Sequence, residues 1–302
     1  MKILKKILIG VAAVVVVLAG VALALLKTTA SLPEHCAWTL DLAAVRAAAA
    51  SLPGDKPTAI RAESILSLEM PEAMVVTGGA FAKTTMTMYA YQIVFPDRTV
   101  IVDAAMSEAD AKQMGSATYD AQAWSRLAGA LPKASAIYVT HEHADHLGGV
   151  VTLAGDPAVR EHAQITREQL ANAAALAPLK WPDGVTASLK PLTYDKLLAV
   201  APGVVLIKAP GHTPGSQLVY VKRQDGRELI LTGDTAWHVE NIDQVKGPSK
   251  LIHLVMHNDE EANVCQLSAL HALPPEVRVM PGHDARRMKQ LVDDGTVAPQ
   301  FQ

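Results

Sequence analysis

The segment THEHADHLGG, residues 140–149, places His141, His143, Asp145 and His146 within six consecutive positions, directly after an apolar run. Imidazoles and a carboxylate make poor core material, because a buried polar atom without a partner costs free energy. Three more residues of the same chemistry stand far apart in sequence: His212 follows VVLIKAPG, Asp234 follows ELILTG and His283 follows VRVMPG. Imidazole nitrogen and carboxylate oxygen are ligands for zinc, and also for iron, manganese or cobalt; the absence of cysteine from the set argues against a structural zinc finger. Seven donors exceed what one tetrahedral ion takes. Two ions sharing a carboxylate would use all seven and leave positions open for water and substrate. An extended backbone points His141 and His143 to one side, and a turn into a helix at His146 redirects Asp145 and His146, so one motif can serve both ions. Of the other histidines, His35, His162, His253, His257 and His271 read as surface or helix-face residues, whereas His238 lies near the expected cleft.

Residues so dispersed meet only if rigid elements carry them. Each of the four groups sits just beyond an apolar strand, where ligands converge in layered α/β folds. β-type runs are read at 74–77 (MVVT), 86–95, 99–102, 136–140, 204–209, 228–232 and 277–280. Helices are predicted over 41–52, from the capping pair Ser107 and Asp110 toward Leu131, over 156–176 and over 260–273. The alternation predicts an α/β domain over 59–302 with helices outside its sheets, preceded over 31–58 by a linker with a short helix. Trp181, in LKWPDG, reads either as a lid residue or as packing.

With 302 residues, half of them hydrophobic, the chain can bury a substantial core. A net charge of −3 without a Lys/Arg stripe excludes a nucleic-acid footprint and suits small neutral substrates. Residues 1–30 are separate in character: Lys2, Lys5 and Lys6 precede an apolar run from Ile7 to Leu26, closed by Lys27. A helix of that length covers about 30 Å, the hydrocarbon thickness of a bilayer. The length favours a retained membrane anchor over a cleaved signal peptide, although Thr28-Thr29-Ala30 would be a tolerable cleavage site. The lysine bias implies a cytoplasmic N-terminus and an exported body, facing the periplasm of a bacterium or released into it. Cys36 and Cys265 either pair in that oxidising compartment or stand as two buried thiols.

The order HxHxDH, distant His, Asp, His resembles the metallo-β-lactamase superfamily over roughly 59–288. The resemblance implies an αββα sandwich. It also implies one metal on His141, His143 and His212, a second on Asp145, His146 and His283, and Asp234 bridging them. Asp103 matches the aspartate that backs the ligands in this family, but Ala105 stands where glycine is usual. The stretches APGHTPGS, LTGDTAWHVEN and MPGHDARRM are similar to the N-acyl-homoserine lactonase branch, and TGD also resembles glyoxalase II enzymes. The expected activity is therefore zinc-dependent hydrolysis of a lactone or other ester. Asp145 would orient the activated water and carry its proton. Lactonases of that branch carry Tyr where this chain has Trp237, so either His238 or the activated water supplies the proton, or the substrate differs. Alternatives are a β-lactam or thioester hydrolase, or a noncatalytic metal-binding protein at the membrane face.

Overall fold

A computed structural model describes the backbone of residues 2–302 and side chains from Leu4 onward; Met1 and the side chains of Lys2 and Ile3 lie outside the described residues. The first sheet contains β1 (Ala59–Pro71), β2 (Lys83–Val94), β3 (Thr99–Val102), β4 (Thr118–Tyr119) and β5 (Ala136–Tyr138). The second contains β6 (Leu197–Ala201), β7 (Val204–Lys208), β8 (Gln217–Lys222), β9 (Glu228–Leu231) and β10 (Val277–Met280), while β11 (Ala298–Pro299) returns to the edge of the first. The orders are β11-β1-β2-β3-β5, with β4 on β1, and β10-β9-β8-β7-β6.

Period-two alternation sorts the strand residues into layers. In β2, Tyr89, Tyr91 and Ile93 face the second sheet and pack with Leu206, Val219 and Leu231. Met86, Met88 and Ala90, on the other face, meet Leu127 and Leu147 of the outer helices. The outer face of the second sheet (Val205, Ile207, Tyr220) packs against Val45, Leu267 and Leu270. The result is the expected αββα sandwich. The parallel pairs β3–β5 and β9–β10, with β7 parallel to β9 through antiparallel β8, bring five strand C-termini to one rim.

Several local expectations differ from what forms. Residues 74–77 are not a strand: Glu72–Val75 is a short helical turn. The helix expected over 156–176 is broken into Pro157–His162, Arg167–Ala171 and a 3-10 turn at Ala173–Leu176, because Gln164 N leaves the helix to donate to Ile137 O (2.8 Å). The helix from Ser107 stops at Gln113 near Gly115, and Asp120 caps a separate one, Ala121–Ala130. Residues 31–58 are docked rather than free: Cys36 is disulfide-bonded to Cys265, and Trp38 Nε1 donates to Lys208 O (2.7 Å). Trp181 packs against the first-sheet helical layer. His253, read as a surface or helix-face residue, is buried.

The N-terminal helix Lys2–Leu26 projects from this body. Its segment Leu4–Leu26 is 23 residues long, has mean hydropathy 3.0 and is not buried, so it is long and apolar enough to cross a membrane.

Candidate metal centre

The seven residues converge at the rim. Asp234 sits at their centre, and its two oxygens face different histidines. Oδ2 lies 3.4 Å from His212 Nε2 and 3.8 Å from His141 Nε2, and both of those nitrogens lie within 3.0 Å of His143 Nδ1. Oδ1 lies 2.9 Å from His283 Nε2 and 3.2 Å from His146 Nε2; Asp145 Oδ2 is 3.8 and 3.5 Å from the same two nitrogens. Four ligands about 2.0–2.1 Å from a zinc ion form a tetrahedron with edges of about 3.3 Å, so the spacings have the size of two coordination shells meeting at one carboxylate. His146 Nε2 and Asp234 Oδ1 are buried with no hydrogen-bond partner, as metal-directed atoms would be. The residues fit a pair of divalent cations.

The opposite ring nitrogens are tied down, which fixes the rings and tautomers. His146 Nδ1 is 2.9 Å from Asp103 Oδ2, and His283 Nδ1 donates to Thr87 O (3.1 Å). His212 Nδ1 donates to the Asn258 amide oxygen (3.2 Å), in the orientation that lets that amide also donate to the carbonyls of Met256 and His212. His141 Nδ1 lies 3.2 Å from Thr140 Oγ1. Burial, reinforced by neighbouring imidazoles, holds His141 and His212 well below the ordinary histidine range, so both are neutral. For Asp234 burial acts upward but is outweighed by His283, His146 and His141, which keep the carboxyl ionised.

Asp103 also accepts from Thr140 N (2.6 Å) and Oγ1 (3.0 Å), anchoring the start of the motif. Its φ of 62° and that of Ala105, 47°, lie in the left-handed region, which costs a non-glycine residue about 1–2 kcal/mol. The glycine usual at the Ala105 position would be free of that strain. The twin glycines after the motif are explained by proximity: a Cβ on Gly149 would sit 2.1 Å from Ala104 O. Only a bare backbone lets helix Ala144–Thr152 close onto the turn after β3, where Gly149 N donates to Ala105 O (2.9 Å).

Glu142 escaped the sequence reading. It is fully buried and accepts from Asn172 Nδ2 (2.8 Å), Thr213 Oγ1 (2.8 Å) and Gly215 N (3.3 Å), stitching the HEHADH segment to the loops around His212 and Asn172. Its signal was its position: between two histidines of an extended segment it must point away from them, into protein. The indole of Trp237 and the candidate proton donor His238 are both otherwise engaged. Trp237 Nε1 donates to Asp234 Oδ2 (2.8 Å), and His238 Nε2 lies 3.2 Å from Thr85 O, outside the cavity lining. Thus the geometry does not support His238 as a proton donor.

A cavity of about 560 Å³ opens above the cluster, with Asp145, Asp234, His143, His212 and His283 at its floor. Five of the chain's ten methionines (Met70, Met86, Met88, Met114 and Met256) line it, together with Leu68, and no Lys or Arg is among its lining residues.

The family model of the metallo-beta-lactamase superfamily matches residues 88–283. The chain belongs to this superfamily. Among its relatives are an N-acyl homoserine lactonase of Bacillus thuringiensis, 28% identical over 111 residues (35% of this chain, 40% of the relative), and a hydroxyacylglutathione hydrolase of Rhodobacter capsulatus, 32% identical over 159 residues (49% and 47%). The chain thus spans less than half the length of these curated relatives. The fold is shared with solved structures. A quorum-quenching N-acyl homoserine lactone lactonase aligns with TM-score 0.62 at 19% identity, over 78% of this chain and 95% of that one. AidC, a dizinc quorum-quenching lactonase, aligns with TM-score 0.55 at 14% identity, over 76% and 89%.

Proposed function

We propose that this superfamily member is a dizinc hydrolase of lactones carrying an apolar acyl chain, held at a membrane by helix Leu4–Leu26 with its body on the exported side. His141, His143 and His212 are assigned to one ion, Asp145, His146 and His283 to the other, and Asp234 to both. The observation that carries the reading is Asp234, whose two oxygens face separate histidine sets on the floor of an apolar cavity. Bound zinc would supply a Lewis acid for the carbonyl oxygen and a water whose pKa falls from about 15.7 toward about 7.

The protein's own groups do the rest. Asp145 lines the cavity and is placed to orient the attacking water and take its proton. The methionines offer an adaptable apolar wall for an acyl chain, and His257, exposed at the mouth, adds a polar edge. The match to a hydroxyacylglutathione hydrolase favours a second reading, thioester hydrolysis. Against it, glutathione brings carboxylates into the site, and no lysine or arginine lines the cavity to receive them.

The test is a side-by-side assay of the zinc-loaded protein with N-acyl-homoserine lactones of graded chain length, S-lactoylglutathione and nitrocefin. The lactones are expected to give the highest kcat/KM, rising with chain length. Preference for the thioester would replace the lactone reading, and tight zinc binding with no turnover of any substrate would leave a noncatalytic metal protein.

A further inference from the structure

The cavity and the anchor helix meet at one short helix, Lys250–Met256. Its first amide, Lys250 N, donates to Thr28 O (2.7 Å), two residues past the end of the apolar span. Its far end lines the cavity through Val255 and Met256. Leu254 is four residues from Lys250, about 6 Å along the helix axis. A second segment reaches the same place: Phe81, Gly78 and Gly79 form a recess of about 290 Å³ with Leu26 and Lys27.

Large apolar side chains are exposed around this exit, with Phe81 at 58%, Leu254 at 53% and Val255 at 68%. Lys27, Lys83 and Lys250 are exposed beside them, while Glu72 is turned to accept from Ala80 N (3.1 Å). A bilayer's headgroup layer is about 5–8 Å thick on each side of its hydrocarbon core. If the span ends at Leu26, Thr28 and the Lys250 amide bonded to it lie inside that layer. Apolar side chains ringed by lysines match its chemistry, since the acyl boundary takes the former and anionic headgroups the latter. Val255 belongs to both surfaces, being exposed on this face and part of the cavity wall.

We infer that the face formed by Phe81, Leu254 and Val255, edged by Lys27, Lys83 and Lys250, is seated in an anionic phospholipid surface, so that the methionine-lined cavity opens onto the bilayer and receives apolar-tailed substrates dissolved in it. The inference rests on the anchor reading above, and the experiment separates the two. Full-length protein is reconstituted into phosphatidylcholine/phosphatidylglycerol vesicles, with a fluorophore on Phe81→Cys, Leu254→Cys or, at the β2–β3 turn away from the rim, Asp97→Cys. The native cysteines are joined and take no label. Flotation with the vesicles, and quenching of labels at 81 and 254 but not 97 by lipids with a shallow nitroxide, is the expected result. Protein that floats with 81 and 254 as unquenched as 97 overturns the membrane-seated face alone, and protein that fails to float overturns the anchor. As a second readout, the Phe81→Ser/Leu254→Ser variant should lose severalfold in turnover of vesicle-dissolved N-decanoyl-homoserine lactone while matching wild type on aqueous N-butanoyl-homoserine lactone. Equal rates on both overturn the delivery role.

Discussion

Trp237 shows how one substitution changes what a site can do. Its indole N–H is committed to Asp234 Oδ2, so it steadies the carboxylate shared by both candidate metal sites instead of meeting substrate. Outer partners of metal ligands typically affect affinity about 10- to 100-fold. Trp237→Phe is therefore expected to weaken metal binding by about tenfold or more, read by competition with a chromophoric chelator; unchanged affinity would remove Trp237 from the site. The donor residues themselves were legible in the sequence, because imidazole and carboxylate recur after apolar runs and nothing in a core explains them. Glu142 was overlooked although its place between two histidines of an extended segment marked it as inward-facing; which loops it joins, those around Asn172 and His212, depends on long-range contacts. Likewise His238 sat near the right place but faced the wrong way, and only packing decides that.

The elements that hold the rim include two devices the sequence left open. The Cys36–Cys265 disulfide fastens the 31–58 segment to helix Glu260–His271, whose N-terminus is tied to the His212 loop where Asp259 N donates to Gly211 O (2.8 Å). Closing a loop across 229 residues restricts the unfolded chain strongly. The Cys36→Ser/Cys265→Ser variant is expected to lose about 2–5 kcal/mol in chemical denaturation. His253, in the helix between the N-terminal helix and the cavity, is buried with both ring nitrogens unpartnered. Burial lowers its pKa against the upward pull of Glu260, the Pro248 carbonyl and Asp259. The unfolded chain thus takes up a proton that the folded chain refuses: the contribution is whole above about pH 6.5 and shrinks as pH falls below it. With metals chelated, the stability of wild type relative to His253→Phe should fall from pH 7 to pH 5; a constant difference would contradict this. Strand β1 went unread because Arg61 and Glu63 interrupt its apolar pattern, yet Glu63 is buried and paired with Arg126 at 2.6 and 2.8 Å. Long-range pairing of that kind has no local signature.

Taken whole, the molecule joins an apolar membrane-length helix to a sandwich in which four strand C-termini carry the candidate ligands and a fifth carries Asp103 behind them. The layer class followed from alternating strands and helices, whereas strand order, the docking of residues 31–58 and the seat of the N-terminal helix against helix Lys250–Met256 depend on contacts between distant segments. What unites the molecule chemically is Asp234 set between two groups of imidazoles. Metal content of the purified full-length protein, measured by inductively coupled plasma mass spectrometry beside Asp234→Ala, addresses it directly. Two equivalents per wild-type chain, with both metal loading and lactone turnover lost in the variant, is the predicted result. Full hydrolysis by metal-free wild type, or two equivalents retained by Asp234→Ala, would contradict it.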